Sequence, residues 1–398
     1  MMSHSTRARI LAAVISIGAA LAALYGLEAL FTIASPAWID KLGTTLRRGP
    51  NVLDETRRMR AAGISAYPYL QPDTFTDSAL VRLRIAGDTL VAPLAGIPSE
   101  LTILCTERGP TVGYRSDSLG FRNPAWAWAP EPDIALIGDS FAQGFCVSES
   151  ESVAGGLRSA GWRTVTTGLA GAGPITELGI VREYLRPLEP RLVLWMFYEG
   201  NDLIDIWSEK KTLLARYLDP SFSQNLAARA PLLREAMKTF ADSAIRAHPA
   251  PGFADHLRAF VTLRRLRTAT GLNRQPTLTK SADEKGDLET MREVLSQAQS
   301  DVASWGGELR LVYLPERRRF NAHTAPIAGE NHDPRAVHRD ITAIASALGI
   351  PVIDVATAFA REDSPSTLWN SRRLHYNARG YKAVTEAIVS SLAKNHGR

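Results

Sequence analysis

The stretch Ile134-Ala-Leu-Ile-Gly-Asp-Ser140-Phe-Ala-Gln-Gly144 decides how the chain is read. Its first four residues are apolar without interruption, the pattern of a strand buried on both faces. Gly138 lets the chain leave that strand sharply. Asp139 and Ser140 then stand at the strand's carboxyl end, the edge where open α/β sheets place their chemistry. Taken alone, the triplet also fits a simple turn in which Asp139 or Ser140 caps the next helix.

Downstream, strand and helix patterns alternate. Residues 152–160 read as a helix, 163–167 as a strand, 175–185 as a helix stopped by Pro187, and 191–198 as a strongly apolar strand. After a break the rhythm resumes with a helix over 288–304, a strand over 309–314, a helix from Pro334 to Gly349, a strand over 350–355, and a last helix carrying Tyr381, Val384, Ile388 and Leu392. Such alternation predicts a parallel sheet with helices on both faces: a flavodoxin-like, three-layer α/β/α sandwich around a mainly parallel five-stranded sheet, spanning 131–398. Residues 203–285 offer no good strand. Their Arg- and Ala-rich amphipathic stretches read as a helical insertion, suited to packing, to a lid or to membrane contact.

Upstream, residues 81–94 and the pair 101–105 with 111–114 read as two hairpins, a small β-appendage over 81–130. Residues 36–80 are polar, Arg-rich and broken by proline, which suits a membrane-proximal linker with one short helix. Ile10 to Leu27 is uninterruptedly apolar and long enough to cross a hydrocarbon core of about 30 Å as a helix. With Arg7 and Arg9 before it, the amino terminus stays inside and the chain after about residue 35 is exported. A cleaved signal peptide ending near Ala34 is the other reading, and it exports the chain as well. Glu28, near the far end of the run, would reach the interface.

The net charge of +5 comes from scattered short groups such as Arg317-Arg318-Arg319. Zinc-spaced Cys/His sets, a recognition-helix pattern and a basic stripe with aromatics are all missing from the sequence, so nucleic acid is not an expected partner. No metal or organic cofactor is expected, because no His/Glu/Asp cluster has ligand spacing. The two cysteines, Cys105 and Cys146, form one disulfide or remain two buried thiols.

Three more short blocks follow Gly138-Asp-Ser140. Thr167-Gly-Leu-Ala-Gly171-Ala-Gly-Pro174 comes directly after the second core strand, Glu199-Gly-Asn201-Asp202 ends the third, and His375-Tyr-Asn377-Ala-Arg-Gly380 precedes the last helix. In these blocks, and in their order, the sequence resembles the SGNH (GDSL-type) hydrolase superfamily over roughly 133–394. Ser116-Asp-Ser-Leu-Gly-Phe-Arg-Asn-Pro124 further resembles the entry segment of its membrane-anchored bacterial members. The resemblance implies a serine hydrolase with Ser140 as nucleophile, His375 as general base, and the N–H groups of Ser140 and Gly171 with the Asn201 amide as oxyanion donors.

One position departs from the pattern. The family carries an Asp three residues before the histidine, and here that residue is Arg372, which cannot accept an imidazole N–H. The orienting group then falls to Asn370, Ser371, a backbone carbonyl, or the more distant Asp354. More mildly, Glu199 replaces the Gly of the usual Gly-x-Asn block. The resemblance implies an ester substrate outside the cytoplasm, an O-acyl or O-acetyl group of an envelope or exported polysaccharide above all. A bacterial inner-membrane location with a single-pass anchor and a periplasmic domain follows from it. An O-acetyltransferase using the same site, or a glycan- or partner-binding module of an envelope assembly, are the alternatives.

Overall fold

The computed structural model describes residues 4–33, 52–72, 83–85, 89–106, 111–128, 131–249, 252–269, 284–320, 333–370 and 375–396. The chain divides into two units, Met1–Gly49 with His248–Leu278, and Pro50–Ala247 with Thr279–Arg398.

The larger unit begins with the helix Val52–Ala61, which has Asp54 and Glu55 in its first turn and Arg58 and Arg60 in its last, each sign matched to the helix dipole. Strand β1 (Tyr67–Pro68) follows. Next come β2 (Leu83–Ile85) and β3 (Thr89–Val91), an antiparallel pair, then β4 (Leu101–Cys105) and β5 (Val112–Arg115). β4 pairs antiparallel with β5 and parallel with β1, giving a three-stranded sheet. Both expected hairpins are therefore present. The appendage also recruits Tyr67–Pro68 from the stretch read as a linker, a pairing between distant segments that no local signal announces.

Five parallel strands build the core: β6 (Ile134–Gly138), β7 (Thr164–Thr166), β8 (Leu192–Tyr198), β9 (Glu308–Leu314) and β10 (Val352–Asp354), in the order β10-β9-β8-β6-β7. β8 is central and all seven of its residues are buried. Its alternation separates two cores. Val193, Trp195 and Phe197 face the helices Pro174–Ile180, Glu284–Ser304 and Pro334–Ala347, through Leu178, Leu295 and Ile341 among others. Leu194 and Met196 face Val153–Ser159, Val355–Phe359 and Ala378–His396, through Leu157, Phe359 and Ile388. This is the expected three-layer sandwich. The helix read over 175–185 is α-helical only to Ile180 and widens into a π turn over Val181–Leu185.

The stretch read as one insertion is divided. Asp202–Glu209, the 3-10 turn Leu213–Leu218 and the helix Ala230–Ala247 stay in the larger unit, whereas His248–Leu278 fall in the smaller one.

Among the described residues the smaller unit holds the helix His4–Ile33 with the helices Phe253–Val261 and Arg264–Ala269. Within the first, Ala12–Leu30 is long and apolar enough to cross a membrane. Near the end of that run Glu28 is buried, and its Oε2 accepts the N–H of Leu266 at 2.7 Å.

Candidate active site

The site begins where β6 ends. Gly138 has φ +147°, and a Cβ there would lie 2.8 Å from the carbonyl oxygen of Met196 on the neighbouring strand, so a side chain is excluded on both counts. Asp139 then accepts the N–H of Phe141 at 2.8 Å and caps the short helix Ser140–Gln143, which Gly144 closes. The cap fixes Ser140 in its first position.

Ser140 is 8% exposed, and its Oγ lies 3.0 Å from His375 Nε2. On its other side Oγ lies 3.4 Å from Asp139 Oδ2. His375 comes from the far end of the chain and is held by its backbone: the N–H of Asn370 donates to its carbonyl at 2.8 Å, and Trp369 bridges Tyr376. The Tyr376 hydroxyl donates to the Pro315 carbonyl at 2.6 Å, and the Asn377 amide donates to the carbonyls of Thr367 and Trp369. Two aromatic rings flank the imidazole, Phe145 at 4.7 Å and Phe141 at 5.3 Å between centroids. Phe141 is in turn stacked on Tyr198 at 4.0 Å.

Nδ1 of His375 is buried and has no hydrogen-bond partner among the described residues. Burial among apolar rings lowers the imidazole pKa to about 4. Of the groups expected to orient the ring, Asn370 meets it through the backbone, while Ser371 and Arg372 lie outside the described residues. Asp354 is a correction. Its Oδ2 faces His338 Nε2 at 3.0 Å, and its Oδ1 accepts the N–H of Ala356 to cap Val355–Phe359. The carboxylate at the end of β10 is thus taken by a nearer histidine and by its own helix.

The remaining blocks meet at the same sheet edge. Leu169 N–H donates to the Gly138 carbonyl at 3.0 Å and Ala170 N–H to Gln143 Oε1 at 3.2 Å, which ties the loop after β7 to the Ser140 helix. Gly171, exposed with φ +83°, stands at the tip of that loop. Asn201 Nδ2 donates to Asp205 Oδ2 at 2.7 Å, and its amide also favours the anion of Asp139. Burial nevertheless raises Asp139 to about 6. Glu199, in the place of a glycine, forms a buried ion pair with Arg319, and its Oε2 accepts the N–H of Glu316 at 2.8 Å. The added carboxylate is therefore absorbed in bracing the ends of β8 and β9.

Several supports of the site act through bonds between segments distant in sequence. Asp117 Oδ1 accepts the N–H groups of Leu119, Gly120 and Phe121, while its Oδ2 accepts from Asn123 at 2.9 Å and from the Trp128 indole at 2.7 Å. Asn123 exchanges two hydrogen bonds with the backbone of Thr166. Arg122, buried, donates to the carbonyls of Gln143, Gly144 and Val147 behind the Ser140 helix. The segment from Ser116 to Pro124 is a hub that joins β7 to the nucleophile turn. Glu209 accepts the N–H groups of Gly173, Ile175 and Thr176, capping the helix that follows the Gly171 loop from a helix remote in sequence. Behind it, Glu177 is fully buried and neither of its carboxylate oxygens has a partner among the described residues. Burial, and then the nearby Asp139, Glu209 and Asp205 carboxylates, push it well above the usual range, with the Trp195 indole acting the other way. Asp202 is raised by burial and by Glu177 in the same way.

The two cysteines are joined, Cys105 of β4 to Cys146 just after Phe145, with Cα atoms 5.4 Å apart. The bridge resolves the open choice between disulfide and thiols. Among the described residues no cluster of His, Cys, Asp and Glu has the makings of a metal site.

No family model matches the chain, nor does any curated protein sequence. Among solved structures the chain is similar to a lipase/acylhydrolase from Enterococcus faecalis, at 13% identity and a TM-score of 0.38, covering 66% of this chain and 95% of that one. It is similar to a GDSL-like lipase from Bacteroides thetaiotaomicron, at 11% and 0.38, covering 67% and 89%. A psychrotrophic esterase, EstA from Pseudoalteromonas sp., is similar at 12% and 0.35, covering 67% and 98%. What the site can do is read from its own residues rather than from these likenesses.

Proposed function

We propose that this protein is a serine esterase of the SGNH type, acting outside the cytoplasm on an O-acyl or O-acetyl ester of an envelope or exported polysaccharide. The observation that carries the reading is the 3.0 Å contact between Ser140 Oγ and His375 Nε2 at the carboxyl edge of a parallel sheet. A serine hydroxyl is hardly ionised at neutral pH and needs a base within that reach. Neutral Nε2 takes the hydroxyl proton as Oγ forms its bond to the ester carbonyl carbon. The oxyanion that results is met by the N–H groups of Ser140 and Gly171 and by the Asn201 amide, donors of the kind whose single loss costs about 2.7–4 kcal/mol. The imidazolium returns the proton to the leaving sugar hydroxyl, and water, deprotonated by the same nitrogen, releases the acid from the acyl-serine. A second sugar hydroxyl in place of that water gives an O-acetyltransferase. The disulfide supports an oxidising compartment, and the apolar N-terminal helix supports an inner-membrane anchor with the amino terminus inside.

An Nδ1 with no partner among the described residues favours one other reading, a module that keeps the fold and binds a glycan or an envelope partner without turning it over. Hydrolysis of an activated acetyl ester by wild type and by Ser140→Ala, together with labelling by a serine-reactive phosphonate, decides between them. Turnover and labelling that both vanish with Ser140 support the esterase. An inert, unlabelled wild type leaves the binding module.

A further inference from the structure

The helix Phe253–Val261 of the smaller unit shows an apolar face to its surroundings. Phe253, Leu257 and Val261, four residues apart and so on one face, are exposed by 83%, 51% and 56%. Arg258 falls on the flank of this face, and Thr262, just past the helix end, lies off it. One edge of the apolar face is already joined to the N-terminal helix: Phe260 packs on Tyr25 at 5.6 Å between centroids, and the Tyr25 hydroxyl donates to the Val261 carbonyl at 3.1 Å. The next helix is tied to the same place by the bond from Leu266 N–H to Glu28. That bond supplies a donor to the one carboxylate in an apolar run whose residues are otherwise exposed.

We infer that Phe253–Val261 is a membrane-surface helix, lying in the bilayer interface beside the N-terminal anchor with Phe253, Leu257 and Val261 in the acyl region. The inference rests on the anchor reading of His4–Ile33 and adds to it a second, non-spanning lipid contact. Three observations select a bilayer as the occupant. The first is continuity, since the apolar face adjoins a helix that is itself apolar and exposed from Ala12 to Leu24. The second is charge: from Phe253 to Ala269 the sequence holds four arginines and a single acid, Asp255, which suits anionic headgroups. The third is depth. At roughly 1.5 Å per residue, Tyr25 lies about 24 Å along the axis from Arg9, the last cation before the apolar run. With Arg9 at one boundary of a core about 30 Å thick, the Tyr25 contact falls roughly 6 Å beneath the other. Interfacial helices bury their apolar face by about 5–10 Å.

The test uses the full chain, reconstituted into vesicles of phosphatidylethanolamine containing about one quarter phosphatidylglycerol, with a nitroxide at one introduced cysteine at a time; Cys105 and Cys146 stay paired and unlabelled. Labels replace Phe253, Leu257 and Val261 on the apolar face, Arg258 and Thr262 off it, and Leu21 in the anchor. Collision with oxygen, which enters lipid, is compared with collision with a water-soluble nickel chelate. The expected result is an oxygen-to-nickel ratio several-fold higher at 253, 257 and 261 than at 258 and 262, with Leu21 higher still. Nickel access at 253, 257 and 261 equal to that at 258, while Leu21 stays shielded, overturns the inference and leaves the anchor standing. Shielding from both reagents at the three positions, or spin–spin broadening between copies, means a protein surface or a second copy occupies the face and overturns it too. Nickel access at Leu21 removes the anchor, and the inference with it.

Discussion

His375 and His338 divide between them what a catalytic imidazole usually has together. His375 has a serine hydroxyl at 3.0 Å and no acceptor for Nδ1 among the described residues. His338 has a carboxylate at 3.0 Å, Asp354, and an edge-on contact with Tyr313. Both rings are half-buried, the first between phenylalanine rings with its Nδ1 shut off from solvent, the second at the start of its helix. The difference teaches what an acid adds. With no acceptor for Nδ1 among the described residues, His375 is positioned by ring packing and backbone bonds, and it stays neutral down to a pH near 4. A neutral ring can accept a proton at any physiological pH, but a base this weak accepts it with little driving force. The site is therefore expected to turn over modestly across a wide pH range.

The comparison can be broken most severely at Ser140. Ser140→Ala is expected to lower kcat/KM for an activated acetyl ester by about 10⁴-fold or more, and His375→Ala by a similar factor, because the two act as a unit. The two together should cost little more than either alone; additive losses would mean that they do not cooperate. Next in size is the bridge behind Phe145. The disulfide closes a loop with a sequence separation of 41, and Cys105→Ala with Cys146→Ala is expected to destabilise the larger unit by about 4 kcal/mol on the chain-entropy model, read by urea unfolding. Turnover should fall with it, since Phe145 then loses its tether beside His375.

The pH profile sharpens the contrast. The acid limb of kcat/KM is expected near pH 4, and a limb near the ordinary imidazole value would show that a carboxylate or water reaches Nδ1. Stability follows the same group with a definite sign. The unfolded histidine binds a proton between its ordinary pKa and about 4 while the folded one does not, so this contribution is lost as pH falls through that window. Glu177 acts in the opposite sense, because its folded pKa is raised and its contribution is lost as pH rises. Glu177→Gln is expected to stabilise the protein by about 1–3 kcal/mol at pH 8 and by much less at pH 5, read as the shift in unfolding midpoint. The smallest effect belongs to the other histidine. Asp354→Ala should lower stability by about 1 kcal/mol through the lost cap and leave turnover within about twofold. A collapse in turnover would place Asp354 in the mechanism after all.

Much of the core was legible because strongly apolar strands between amphipathic helices leave few alternatives. Ile134 to Gly138, Leu192 to Tyr198 and Leu309 to Leu314 could be placed from runs of buried residue types alone, and each block of polar residues after them then fell at one sheet edge. What escaped was nonlocal. Asp117, Arg122 and Glu209 look like ordinary surface charges in sequence, since their hydrogen bonds run to backbone groups that only the fold brings near. Asp354 was misleading for a related reason: proximity to a strand end said nothing of which histidine would be closer. Tyr67–Pro68 is too short to announce a strand, and the division of the 203–285 stretch follows from the docking of its second half on the N-terminal helix, through contacts such as Tyr25 with Phe260.

The bridge between Cys105 and Cys146 also bears on how the protein is handled. Material made in a reducing cytosol would leave the turn after the nucleophile unpinned, and Phe145 with it. Such a preparation could be soluble, correctly sized and inactive, and its silence would be mistaken for a missing catalytic acid. Production in an oxidising compartment, with the thiol count checked before any rate is measured, separates a catalyst without its acid from one without its staple.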